Sequence, residues 1–319
     1  VERFSGVGYF FARRLHKELN VPIGLIITSR GGTRIEPWSP RLGFEKMKEH
    51  EFATEILNQL ESADPSTEVD KQTPTYLYEK IIARIIPYAI RGVIWYQGES
   101  NSAGGDSYYY KTHGLIAAWR DAWEQGDFPF YTVQLANHRS DIYNPAGGDG
   151  FASLREAQLK ALDIPNTGMA VAIDIGEADN IHPKNKQDVG DRLARWALAK
   201  EYGKDIVFSG PLFKNYAVKG DKIRVSFDHV GSGLMVGKKE GLAPPVEFTR
   251  GKLSRFAIAG EDKNWVWADA VIDGETVVVS SPEVPKPAAV RYAFSANPIG
   301  ANLYNKEGLP ASPFRTDSW

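Results

Sequence analysis

Short apolar runs alternate with helix-length amphipathic segments through the first two thirds of the chain, and this alternation limits the fold more than any other feature. Val21 to Thr28 (VPIGLIIT), Gly92 to Tyr96, Phe130 to Leu135 and Met169 to Asp174 read as strands. Helical spacing marks Val7 to Leu19, Ser107 to Trp123, Ser153 to Leu162 and Gln187 to Tyr202. Thr73-Pro74 reads as an N-cap and first-turn proline opening a helix to about Ile86. Apolar strands separated by such helices imply a mainly parallel sheet covered on both faces. Ligands of these sheets bind at the carboxyl ends of the strands.

The periodicity changes after about Tyr202. Lys222 to Phe227, Val246 to Thr249, Leu253 to Ala259, Trp265 to Ala270 and Thr276 to Ser280 cluster β-formers between turn residues, and Asp273-Gly274 is a hairpin signal. A chain of 319 residues has room for one large domain or two. The break predicts an α/β domain over residues 1–204 and a smaller β-rich region over 205–319. The tail from Arg291 to Trp319 is full of Asn, Pro and Gly, yet holds Tyr292, Phe294, Leu303, Tyr304 and Phe314, which predicts that it packs back.

The 38 Lys plus Arg against 40 Asp plus Glu leave a formal charge of −2, which gives no electrostatic reason for nucleic acid or an anionic membrane as partner. With no Cys, thiol catalysis, thiolate metal sites and disulfides are excluded together. A metal site lacks His-Glu-x-x-His and any second histidine near His182, so none is expected. No apolar run reaches the length of a membrane span. The chain starts at Val1 without Met and without a signal peptide, which reads as a processing boundary. Eight Trp and fourteen Tyr suit stacking on sugar rings as well as filling a core.

Three of the expected parallel strands run into unusual polar clusters. These are Ser29-Arg30-Gly31-Gly32-Thr33, Gln97-Gly98-Glu99-Ser100-Asn101, and Asp174 followed by Asp179-Asn180-Ile181-His182-Pro183. On a parallel sheet the three loops meet along one edge. The glycine pair lets backbone N–H groups approach a ligand, Gln97 offers an amide donor, and Asp179 with His182 makes an acid–imidazole pair in one loop. His16, His50, His113, His138 and His229 have no spaced partner and read as surface or structural residues.

Together GGT-x-I-E-x-W (Gly31 to Trp38), IWYQGESN (Ile94 to Asn101), VQLA (Val133 to Ala136), LREAQ (Leu154 to Gln158), DNIHP (Asp179 to Pro183) and the C-terminal ANLYN and GLPASPFRTD resemble the sialate O-acetylesterase group of carbohydrate esterases, within the SGNH hydrolase superfamily. The resemblance implies a flavodoxin-like three-layer α/β/α domain followed by the β-rich unit, and Ser–His–Asp hydrolysis of sugar acetyl esters without a cofactor. It implies His182 as general base, Asp179 as the residue orienting it, Gly31 or Gly32 as backbone donor to the oxyanion and Gln97 as the side-chain donor. Glu99 and Asn101 would support the loop beside the substrate. Sialate is anionic, so Arg30, Arg34 or Arg155 would pair its carboxylate, with a solvated or structural ion pair the alternative for each.

The family's nucleophile is a serine in Gly-Gln-Ser-Asn-Met, and that motif does not occur in these residues. FSGVGYFFARRLHKEL resembles a helix downstream of it, so the expectation is that an N-terminal segment or a separate chain supplies the serine. Ser100 is the best internal substitute because GESNS partly imitates Gly-x-Ser-x-Gly, although its final glycine is absent; Ser29 and Ser5 have only position in their favour. Acetylxylan or another acetylated polysaccharide is the alternative substrate, and a non-catalytic carbohydrate-binding or scaffold chain the alternative class. A secreted, periplasmic or lysosomal setting follows from the resemblance.

Overall fold

The computed structural model describes residues 4–64, 66, 68–141 and 143–319; Val1, with its expected processing boundary, lies outside them. Six α-helices are described: α1 (Gly6–Leu19), α2 (Arg41–Glu45), α3 (Glu51–Glu61), α4 (Gly105–Trp123), α5 (Gly150–Lys160) and α6 (Lys186–Lys200). A parallel sheet is built from β1 (Val93–Trp95), β2 (Phe130–Gln134) and β3 (Thr167–Val171) in the order β1-β2-β3. Along β2, Phe130 joins a core with Trp119 and Leu154 of α4 and α5, while Tyr131 and Val133 join one with Val189 and Leu193 of α6 and Leu15 of α1. Helices therefore cover both faces, and every residue of β2 is buried. Every residue of β1 is only half-buried because it lies at the sheet edge.

Local signals fix the helix ends. The Ser5 hydroxyl accepts from Gly8 N at 3.1 Å, Asp149 accepts from Phe151 N and Ala152 N, and Asn185 accepts from Asp188 N at 3.0 Å, so each satisfies a donor the first turn leaves orphaned. Helices α1 and α6 cross closely at Gly190, where an added Cβ would sit 2.6 Å from Phe10 Cβ and 2.8 Å from Val7 O.

Two sequence expectations in the first half are corrected. Val21 to Thr28 forms no strand; it is irregular chain with no ladder partner among the described residues, and Ile26 is 52% exposed. A strand exists only when a neighbour accepts its hydrogen bonds, and the described residues place none beside it. The helix expected from Thr73 to Ile86 is reduced to a π-helical turn at Tyr78–Ile82, preceded by Thr75 in the left-handed region at φ 68°. Helices α2 and α3 lack strong sequence signals and were not expected.

From Leu212 onward the strands are antiparallel. One sheet has the order β10-β11-β5-β4, from β4 (Leu212–Lys219), β5 (Lys222–Asp228), β10 (Asp269–Asp273) and β11 (Thr276–Ser280). Another runs β14-β12-β8-β9, from β8 (Phe256–Ala259), β9 (Trp265–Trp267), β12 (Ala289–Tyr292) and β14 (Phe314–Arg315). A third joins β6 (Leu234–Lys238) to β7 (Val246–Glu247) and β13 (Leu303–Asn305). Asp273 pairs with Thr276 across a turn holding Gly274 at φ 61°, as the dipeptide requires. Ile223, Val225 and Phe227 alternate inward onto Val277, Val279 and Phe314. The tail touches the α/β part through Gln134 Nε2 to Ser312 Oγ (2.8 Å) and Tyr304 Oη to Asp174 (3.1 Å). Among the described residues no helix is long and apolar enough to cross a membrane.

Gly190→Val is expected to lower stability by about 1–3 kcal/mol through overpacking of the α1–α6 crossing. A urea unfolding curve superimposable on that of the parent would refute this account of the crossing.

Candidate active site

A cleft of about 710 Å³ opens at the β1 edge of the parallel sheet, with Gly31, Gly32, Gln97, Glu99 and His182 all in its lining. The structure thus brings together five residues that the sequence places in three distant loops. Gly98 makes the sharp exit from β1 possible: its φ is 153°, and a Cβ there would lie 2.5 Å from Leu154 Cδ2.

Behind the cleft a buried network holds the loops to one another. Gln97 Nε2 donates to Thr33 O (3.0 Å) and to Asn101 Oδ1 (2.8 Å), while its Oε1 accepts from Tyr108 Oη (2.9 Å). Asn101 Oδ1 also accepts from Ile35 N (2.9 Å), and Asn101 Nδ2 donates to Glu36 at 3.0 Å. Glu36 in turn pairs with Lys111 Nζ at 2.7 Å, both side chains being nearly buried. Burial alone would raise the Glu36 pKa, but the Lys111 charge and the hydrogen bonds from Lys111 and Asn101 outweigh it and hold the carboxyl below its usual range. Asn101 is therefore an internal connector whose polar atoms are already engaged.

The glycine loop is clamped from outside as well. Lys71 Nζ donates to Gly31 O (3.0 Å) and Gln72 Nε2 to Gly32 O (2.7 Å), while Trp38 Nε1 donates to Thr33 Oγ1 (3.0 Å). The carbonyls being held, the N–H groups of Gly31 and Gly32 have no acceptor among the described residues. Two fixed backbone donors at the mouth of a cleft are suited to an oxyanion.

Glu99 sits beside His182 and Lys186 in the cleft. Its pKa is raised by burial, which the charges of His182 and Lys186 only partly oppose, and burial lowers Lys186. Asp179 and His182 are both exposed, and among the described residues no hydrogen bond or ion pair within 4.0 Å joins them; the His182 N–H of the backbone is held by Asn180 Oδ1 at 2.9 Å. Arg34 is exposed and its backbone N donates to Gln72. Arg155 is elsewhere: it is fully buried and donates to Leu135 O, Ala136 O, Ser295 O and Ala296 O at 2.7–2.8 Å, so its guanidinium is occupied by carbonyls and does not face the cleft. Asp174 likewise forms a buried pair with Arg192 at 2.6 Å.

Sequence reasoning missed Lys111, which stands in the regular helical pattern of α4 and carries no local signal. Glu36 and Trp38 were visible in GGT-x-I-E-x-W, but their roles depend on partners far along the chain. Of the five remaining histidines, His16 is bonded to Val21 O, His113 to Asp163 and His138 to Glu177 O.

A cleft at the edge of a parallel sheet, with an imidazole, a carboxyl and the backbone of a clamped glycine loop in its lining, defines an α/β protein with an enzyme-like site. The chain belongs to the carbohydrate esterase family of sialic acid-specific acetylesterases, whose family model matches residues 2–199. The sialate O-acetylesterase of Homo sapiens is 35% identical over 227 residues, 65% of this chain and 41% of that protein. The sialate O-acetylesterase of Rattus norvegicus is 31% identical over 265 residues, 70% of this chain and 48% of that one. This chain spans less than half the length of these curated relatives. A solved structure, a carbohydrate acetylesterase from Xanthomonas citri, is 39% identical with a TM-score of 0.84 and covers 99% of this chain and 66% of its own.

Lys111→Met would leave the Glu36 carboxylate buried and unpaired, at an expected cost of about 3–5 kcal/mol at neutral pH. Without the ammonium the Glu36 pKa rises above its unfolded value, so the folded state gains relative stability as the carboxyl protonates and the deficit shrinks on acidification. Urea titrations at pH 7 and pH 5 check this; a deficit that grew towards pH 5 would contradict it. Glu99→Gln is expected to stabilise the chain at neutral pH, because a carboxyl raised by burial weakens the fold once ionised, and the gain should fade as pH falls into the carboxylate range.

Proposed function

We propose that this chain is part of a carbohydrate O-acetylesterase that removes acetyl groups from O-acetylated sialic acid by Ser–His–Asp chemistry, with the serine outside these residues. The observation that carries the reading is the cleft that gathers Gly31, Gly32, Gln97, Glu99 and His182 at the sheet edge. Residues 1–204 would form a three-layer hydrolase domain of the SGNH type and 205–319 an accessory β-rich region. Similarity to enzymes whose names specify sialate acetyl esters supports the substrate. The same names suit a secreted or lysosomal setting.

In this reading a serine hydroxyl attacks the acetyl carbonyl as His182 takes its proton, and the Gly31 and Gly32 N–H groups stabilise the oxyanion. His182 then returns the proton to the departing sugar oxygen, and water, deprotonated by His182, releases acetate from the acyl-serine. Asp179 is the proposed orienting carboxylate, and a hydrogen bond to His182 has to form for that role. Gln97, the proposed side-chain donor, must release Thr33 O to serve as one. Arg34 remains the candidate for the sialate carboxylate, whereas Arg155 is committed elsewhere.

Ser5, Ser29 and Ser100 line the cleft, but none is hydrogen-bonded to His182 among the described residues, and Ser5 is occupied as a helix cap. The 319 residues alone are therefore proposed to release acetate only at a residual rate. Acetylated polysaccharide is the second substrate reading, favoured by the Xanthomonas citri enzyme, whose name specifies a carbohydrate and no sialate.

Acetate release from 9-O-acetylated sialic acid and from acetylxylan, by the chain joined to the segment that carries the family's serine, tests the proposal. His182→Ala should lower kcat by about 10³-fold or more while the fold persists. Near-normal release by that variant, or full activity of the 319 residues abolished by Ser100→Ala, would overturn the assignment. Gln97→Ala should lower kcat and kcat/KM together if its amide acts in the transition state, whereas a change confined to KM would make it a sugar-binding residue.

A further inference from the structure

His182 is held from two sides, and one of them lies among the antiparallel strands. The loop between β3 and α6 is fixed at its start, where Gly176 N donates to Asn137 Oδ1 (2.7 Å) and Arg139 N to Ala178 O (2.8 Å). Within it His182 N donates to Asn180 Oδ1 (2.9 Å) and Lys184 N to Glu177 Oε1 (2.8 Å). It ends at Asn185, the N-cap of α6, three residues after His182. Residues 176–184 contain no helix and only the isolated bridge Glu177–Asn180, so the two ends of the loop decide where the imidazole stands. Between cap and histidine is Pro183, buried and fixed in φ, which leaves this short link little freedom to absorb a movement of the cap.

The cap in turn depends on Lys239. This residue directly follows β6, in the connection to β7, and its side chain is only 6% exposed. Its ammonium donates to Asp188 at 2.7 Å, to Gly241 O at 2.6 Å and to Ala243 O at 2.9 Å, so each of its N–H groups has an acceptor. Asp188 Oδ2 also accepts from Asn185 Nδ2 at 2.7 Å, and Asp188 N donates back to Asn185 Oδ1 at 3.0 Å. Asn185 Nδ2 reaches Gly241 O as well, at 3.4 Å. A lysine from the β6–β7 connection is thereby joined to the cap of the helix that follows the histidine. Its neighbours behave differently: Lys238 and Glu240 pair on the open surface, their side chains 59% and 71% exposed. Lys239 is not in the cleft lining, so contact with substrate does not account for its burial.

We infer that Lys239 is a positioning residue for the reaction: it fixes the Asn185 cap and, through it, the loop that presents His182 to the cleft. The antiparallel strands thus act on the reaction without touching substrate. The catalytic half of this inference rests on the proposed function, in which His182 moves the proton; the tether itself does not.

Lys239→Met keeps most of the stem and removes the three donors. In the 319-residue chain, amide exchange of His182 and Lys184 is expected to quicken by about tenfold, the size of effect that follows loss of one charged hydrogen bond. In the chain joined to the segment that carries the family's serine, kcat for acetate release should fall about tenfold or more with KM within about twofold, because reacting groups are misplaced while the cleft lining is untouched. Asp188→Asn weakens the same link; alone it should lower kcat at least about threefold, and added to Lys239→Met it should lower it little further. Lys238→Met, one residue away on the open surface, should leave both readouts at parent values. A Lys239→Met variant with a lower urea midpoint but unchanged kcat and unchanged exchange at His182 and Lys184 would make Lys239 a stabiliser only and overturn the inference. Effects of Lys239→Met and Asp188→Asn that multiply would do the same. Should Lys239→Met not fold, Asp188→Asn decides by the same two measurements, and parent values in it overturn the inference. No acetate release by the parent joined chain would remove the proposed function, while the exchange rates still decide the tether. Parent-rate release by Lys239→Met would remove the positioning role and leave the proposed function standing.

Discussion

The guanidinium of Arg155 ties together three parts of the molecule that otherwise have little reason to stay in register. It leaves α5, passes beneath the carboxyl end of β2, where it binds the carbonyls of Leu135 and Ala136, and reaches Ser295 and Ala296 of the tail. A cation with no exposed surface is tolerable only when its donors are largely matched; four carbonyl oxygens take four of its five N–H groups, and the Asp149 charge also favours it. Burial lowers the pKa of this group, which reflects the same desolvation. Since the loop after β2 and the tail are both anchored here, the position of the sheet's carboxyl edge is set from below.

On that edge a second buried network sets the site. Lys111 fixes Glu36, Glu36 fixes the amide orientation of Asn101, and Asn101 with Gln97 holds the glycine loop against the end of β1. Each link uses a donor for an acceptor, so no polar atom of Asn101 is left to bind sugar. The polar cluster that ends β1 at Gln97 thus has a mechanical explanation independent of any direct contact with substrate. Fixed donors are worth more than mobile ones because no reorganisation is required when charge develops.

The parallel sheet ends at β1, and the cleft opens at that edge. β2 is buried along its whole length, whereas β1 is half-buried and residues 21–28 have no ladder partner among the described residues. Ile26 and Ile27 are exposed in that segment. The chain spans 41% of the human relative and 66% of the Xanthomonas citri enzyme.

Periodicity by itself determined α1, α4, α5 and α6, the three parallel strands, and the turn between β10 and β11, because these elements are stabilised by local spacing, caps and turn chemistry. Motifs likewise drew attention to Gly31, Gln97, Glu99 and His182. Residues 21–28 were misread because a run of β-formers records propensity, while a strand needs a partner that lies elsewhere in the chain. Arg155 was misassigned for a related reason: a charged residue on an amphipathic helix looks solvated until the surrounding carbonyls are located. The pairing of Lys111 with Glu36 and the engagement of both Gln97 amide hydrogens were decided by the tertiary structure alone, since each depends on groups tens of residues away in sequence but within hydrogen-bonding distance in space.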